Sequence, residues 1–193
     1  MRAEILKSVT CFVQDTTIPD TVTIDALSNV INLCEYVFQE SYSYFEICTC
    51  EICGNIKIVK KCILPINEGV LNKHGFAKIV DAIKEGKVLK PKCTKCDKER
   101  SVSVSYGAQL FIESSIITTL QDIPLSIQLD EQQYTHVGCV VYHGQHSQTS
   151  VGHYTAYVRN GTNWIEYDDL LRKPKKVSVK TNCYINMCIY VET

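Results

Sequence analysis

No stretch of this sequence approaches the roughly 18 uninterrupted apolar residues of a membrane-spanning helix. The N-terminus mixes charges of both signs into a short apolar run, which is unlike a secretory leader. A charge surplus is missing too: 20 basic residues stand against 21 acidic ones, a net −1, so nothing in the balance points to nucleic acid or an anionic membrane as partner. There is no internal repeat and no low-complexity linker. These absences lead us to expect a globular intracellular protein, cytoplasmic or nuclear. At 193 residues and 45% hydrophobic content the chain can bury the core of one domain with a small appendage.

Cysteine is what the sequence has in plenty. Eleven cysteines would suggest disulfides in a secreted chain, but here they are expected to be reduced, metal-bound or buried, and the odd number argues against full pairing. Four of them form two matched knuckles, Cys50-Glu51-Ile52-Cys53 and Cys93-Thr94-Lys95-Cys96. A Cys-x-x-Cys knuckle lets two thiolates face one point, and two knuckles supply the four sulfurs of a closed tetrahedral zinc site. A redox dithiol needs only one such motif. Cys48, Cys62 and His74 are nearby spare donors and are read as packing or surface residues. The 39 residues between the knuckles exceed the gap of a compact zinc ribbon and must carry structure. Strands are expected at Ile56–Val59 and Cys62–Leu64, and a short helix through Phe76, Ile79, Val80 and Ile83 that ends at Gly86.

Elsewhere, apolar spacing from Ala26 to Phe38 predicts an amphipathic helix over about 23–39. Ser101–Tyr106 alternates as a half-buried strand and Gln109–Glu113 reads as another, followed by a turn region over Ser114–Asp122. Pro124–Leu129 leads to a central strand over Tyr134–His143, with Val137, Cys139 and Val141 on one face. Val177–Val179 and Tyr184–Val191 complete the strands, and Arg172–Lys176 is a basic solvated loop.

The stretch that carries chemistry lies between the last two groups. Thr155–Val158 and Trp164–Tyr167 are β-branched and aromatic runs separated by an Asn160-Gly161 hairpin signal. His153 should open one strand and Asp168 close the next, which brings an imidazole and a carboxylate together as base and orienter of a hydrolase. Gly152 beside the base allows close backbone approach. His143 and His146 are alternative bases but lack a downstream aromatic-Asp partner.

The run Gly152-His153-Tyr154, Ala156-Tyr157, Trp164, Tyr167-Asp168-Asp169 resembles the histidine box of the ubiquitin-specific proteases, which are papain-like cysteine deubiquitinases. The resemblance covers roughly residues 22–192, and Pro124, Tyr134, Val140–Tyr142 and His143-Gly144 fit the strand before the box. It implies an α+β fold: an antiparallel palm sheet carrying a zinc-ribbon fingers extension, with the N-terminal thumb truncated. Residues 1–40 would be a helical thumb remnant, 41–113 the fingers and 114–193 the palm. It further implies His153 and Asp168 as catalytic residues, Gly152 and Tyr154 as substrate-binding, and Cys50, Cys53, Cys93 and Cys96 as ligands of one structural zinc. Ubiquitin, or a ubiquitinated protein, would be the partner. The family's nucleophile opens a long helix in a Gly-Asn-Thr-Cys box. Here Thr10-Cys11-Phe12 is the only echo, and Thr16 to Pro19 deny Cys11 a helix. Cys11 is therefore read as a packing residue and the chain as inactive by itself, with a ubiquitin-binding or scaffold module as the alternative.

Overall fold

The computed structural model describes residues 13–16, 23–25, 30–38, 40–86, 92–144 and 152–193. The chain divides into two compact units, Met1–Ser41 and Tyr42–Thr193. In the first, β1 (Val13–Asp15) pairs antiparallel with β2 (Thr23–Asp25), and α1 runs over Val30–Val37 with Val30 and Cys34 buried. Of the helix expected over about 23–39, Thr23–Asp25 is strand and Val30–Val37 is helix. The β-branched Thr23 and Ile24 prefer extended backbone, and this local preference outweighs the apolar spacing that suggested helix. Cys11 lies outside the described residues.

Among its described residues the second unit holds two sheets. A three-stranded antiparallel ribbon is formed by β3 (Tyr44–Thr49), β4 (Ile56–Lys61) and β6 (Ser101–Tyr106), with β3 in the middle. Between β4 and β6 the chain leaves the ribbon. It makes β5 (Ile63–Leu64), α2 (Glu68–His74), a 3-10 turn over Phe76–Lys78 and α3 (Ile79–Lys84). Asn67 caps α2, its Oδ1 accepting from the Gly69 N–H at 3.1 Å, which starts a helix too short to show a period in the sequence. Leu64, Leu71, Phe76, Ile79 and Ile83 bury into one core with Leu110, Ile112, Ile127 and Leu129. The helical insert thus packs on the large sheet, although it lies in sequence between the knuckles.

That sheet is built from β7 (Gln109–Thr119), β8 (Ser126–Leu129), β9 (Gln132–His143), β10 (His153–Asn160), β11 (Asn163–Tyr167), β12 (Lys175–Val177) and β13 (Asn182–Glu192), in the order β12-β11-β10-β9-β13-β7-β5 with β8 on β9. All its pairs are antiparallel except β5 with β7. The architecture is α+β with antiparallel sheets, and β9 is central, as expected. Three local expectations are corrected. The turn region at Ser114 is strand as far as Thr119. Buried Ser114 is satisfied there by donating Oγ to the Ile185 carbonyl at 2.7 Å, where β13 shifts register. Val137 does not share a face with Cys139, because a bulge between β9 and β13 reverses the alternation after His136. Finally, the last short strand takes in Lys175 and Lys176 and ends at Val177, since β11 offers Glu166 opposite Lys175.

Candidate active site and metal centre

β10 and β11 form a hairpin in register Ala156↔Tyr167 to Asn160↔Asn163. Its two-residue loop is Gly161-Thr162, with Gly161 at φ +61°, the left-handed conformation a tight hairpin asks of glycine. Extending the register sets Asp168 opposite Thr155, so His153 reaches it diagonally from two residues further along the same face. The contact is direct. His153 Nε2 donates to Asp168 Oδ1 at 2.8 Å, and Asp169 Oδ1 is 3.7 Å from the same nitrogen. The Leu170 N–H also donates to Asp168 Oδ1 at 2.8 Å. That backbone bond, with His153 behind it, holds the Asp168 carboxyl below the usual carboxylate range. A carboxylate fixed this way ties up Nε2 and turns Nδ1 toward any proton exchange.

His143 stands directly across from His153 on β9, its Nε2 2.8 Å from Thr155 Oγ1 and 4.0 Å from the buried Glu166 carboxylate. It belongs to a second polar layer under the dyad, which the sequence did not reveal because Thr155 and Glu166 read as ordinary strand residues. His146 lies outside the described residues. Tyr154 points to the opposite face of β10 from His153, its ring 5.1 Å from that of Tyr142. The reason for glycine at 152 is also internal: a Cβ there would sit 1.9 Å from Tyr142 Cε2. Tyr142 packs into the space that Gly152 leaves.

The four knuckle cysteines converge at the far end of the ribbon. Their sulfurs lie within 4.8 Å of one another, with Cys50–Cys96 at 3.4 Å, Cys53–Cys93 at 3.5 Å and Cys53–Cys96 at 3.7 Å. Four sulfurs about 2.3 Å from a tetrahedral ion stand about 3.8 Å apart, so the spacing fits a divalent metal. The two knuckles are built alike. Gly54 N–H donates to Cys50 O and Asp97 N–H to Cys93 O, both at 2.8 Å, and Gly54 and Asp97 both take positive φ. The Lys95 and Cys96 N–H groups, with Arg100, hold the Cys93 thiol down to about 6, and the Cys53 N–H lowers Cys50. For Cys96 the Lys98 N–H works the same way, but the three neighbouring sulfurs prevail and push it up to about 12. Four thiolates share such a space when a cation sits among them. Cys48 and Cys62 are buried elsewhere and His74 is exposed, as expected. Sequence reasoning missed Arg100, which reads as one more solvated base but is 4% exposed beside Cys93.

No family model matches this chain, and no curated protein does. Among solved structures it is similar to the MERS-CoV papain-like protease with human ubiquitin, at 15% identity and a TM-score of 0.48, covering 89% of this chain and 50% of that one. Similarity to the yeast SAGA DUBm with Sgf73 stands at 15% and 0.48, covering 86% and 46%. For the Neurospora crassa Pan2 catalytic unit, with protease and nuclease domains, the values are 13% and 0.48, covering 79% and 33%. The chain thus spans half or less of each of these chains.

Proposed function

We propose that this chain is a ubiquitin-specific-protease-like protein of the deubiquitination pathway, with His153 as general base and Asp168 as its orienting carboxylate. The 2.8 Å contact between them carries this reading, because it joins the two ends of a hairpin whose sequence resembles the family's histidine box. In the chemistry this implies, His153 takes the proton of an attacking thiol through Nδ1 while Asp168 holds the imidazole at Nε2 and stabilises its charge. The imidazolium then protonates the leaving amine of the isopeptide bond, and water cleaves the thioester. Gly152, just before β10, and Tyr154 flank the base in sequence, on the segment beside which the ubiquitin tail would lie.

Cys50, Cys53, Cys93 and Cys96 would hold one structural zinc that fastens the ribbon's tip. The ribbon carries a suitable face for a protein partner: Ile47, Ile56 and Ile58 are 38%, 59% and 58% exposed and lie side by side on β3 and β4. Ubiquitin gripped there would direct its C-terminus to the dyad.

One observation favours the second reading, a non-catalytic ubiquitin-binding module. Among the described residues no cysteine sulfur lies within hydrogen-bond reach of His153, and the sheet's own Cys139, Cys183 and Cys188 are buried with their thiols pushed up by desolvation. The test uses ubiquitin bearing a thiol-reactive C-terminal group, with intact mass as readout. We expect measurable non-covalent binding and no adduct. An adduct on Cys11 that His153→Ala abolishes would make the chain an enzyme in its own right, whereas absence of any ubiquitin binding would sink both readings.

A further inference from the structure

Arg100 is buried, 4% exposed, at the start of β6 beside the second knuckle. Its Nη2 donates to Asn55 Oδ1 at 2.7 Å and reaches Cys93 Sγ at 3.7 Å. Its Nε and Nη1 have no hydrogen-bond partner among the described residues, and no carboxylate among them lies within 4.0 Å of it. A guanidinium cannot shed its proton, and a buried cation facing only a neutral amide is strongly unfavourable. Something negative must therefore face it. The only candidates among its described neighbours are the cysteine sulfurs, and their charge depends on their state. Four thiols, or two disulfides, are neutral and leave the guanidinium uncompensated. Four thiolates around a divalent ion carry a net charge of two minus, concentrated on the sulfurs that Arg100 touches.

The placement suits this role. Asn55 belongs to the first knuckle, its carbonyl accepting from the Cys50 N–H at 2.9 Å, while Cys93 opens the second. One guanidinium therefore bridges both halves of the centre. We propose that Arg100 is the counter-charge of the four-cysteine centre: it stabilises the fully deprotonated, metal-loaded form and so sets how tightly the ribbon keeps its ion. Arg100 acts as a positioning residue that touches a ligand sulfur and not the metal. The proposal rests on the zinc reading above.

The experiment measures zinc per chain in the purified protein by elemental analysis, and zinc affinity by competition with a chromophoric chelator, for wild type, Arg100→Met and Arg100→Lys. Loss of a residue that supports metal ligands from outside the coordination shell typically weakens binding about 10- to 100-fold. We expect that loss for Arg100→Met and recovery of most of it in Arg100→Lys, which restores the charge without the fork. Cobalt(II) loading should give the sulfur-to-metal charge-transfer band of a tetrathiolate in all three, showing that the ligand set still closes and that affinity alone has changed. Equal affinity in wild type and Arg100→Met would overturn the proposal. So would a loss in Arg100→Lys as large as in Arg100→Met, since shape and not charge would then be at work. A wild-type chain that binds no zinc would instead overturn the zinc reading, and the role of Arg100 would fall with it.

Discussion

His136 shows how a single residue can make this fold sensitive to acid. It is 1% exposed, its ring lies between those of Trp164 and Tyr190 at 5.4 and 4.8 Å, and neither ring nitrogen makes a hydrogen bond of good geometry among the described residues. Desolvation, aided by the nearby positive Arg159 and only partly offset by the Gly138 backbone, lowers its pKa from 6.5 to about 4. The unfolded chain therefore binds a proton that the folded chain refuses. Stability from this group is complete above pH 6.5 and drains away as pH falls toward 4, by on the order of 3 kcal/mol. Urea midpoints at pH 7.5 and 4.5 should differ clearly in wild type and much less in His136→Phe; an unchanged difference in the variant would exclude His136 as the source. Gly152 makes a second prediction. Alanine there must push a methyl into the Tyr142 ring, which should cost roughly 1–3 kcal/mol of overpacking. Thermal melts of Gly152→Ala and of the double variant with Tyr142→Ala test this, since trimming the ring should return part of the loss.

Among the elements, the ribbon depends most on something other than its own packing. Its three strands expose many side chains, including Ile56, Ile58, Ser101 and Ser103, whereas β7, β9 and β13 bury Leu110, Ile112, Tyr134, Ile185 and Tyr190 in a shared core. Cys93→Ser and Cys96→Ser together should abolish zinc binding and remove amide-exchange protection from β3, β4 and β6 while β7, β9 and β13 keep theirs. Full zinc retention by the double variant would refute the ligand assignment. Legibility from sequence follows the same division. Ser101–Tyr106 and the β10–β11 hairpin were readable because one face is buried and the alternation survives. The end of β7, the register of β9 and the cap of α2 were not, because a buried serine bonded to β13, a bulge at Val137 and a seven-residue helix leave no local period.

For the molecule as a whole, the proposed partner links the two sheets of the second unit. If the ribbon grips ubiquitin while the dyad receives its tail, damage to either should weaken one binding event. Ile58→Asp on the exposed ribbon face should lower ubiquitin affinity by about tenfold or more, the loss expected at a buried apolar anchor. Stripping zinc with a chelator should do the same, and titration calorimetry reads both. Unchanged affinity after both treatments would remove the ribbon from the interface, whatever the dyad does.

Some of this protein was settled by its sequence alone. Each Cys-x-x-Cys spacing sets two sulfurs side by side, and the two runs on either side of Asn160-Gly161 specify a hairpin that delivers His153 to Asp168, because both depend on short distances along the chain that local geometry controls. Bringing the two knuckles to one point took the long-range pairing of β3 with β6. Tertiary structure decided the rest. Which residues pack the 63–84 insert onto the large sheet, why Tyr142 demands glycine at 152, and that His136 and Arg100 are buried with too few partners all depend on contacts between segments distant in sequence. A polar residue in a strand or beside a knuckle looks solvated in any one-dimensional reading. Only the arrival of distant segments around it removes the water and turns its charge or its unpaired nitrogens into a constraint.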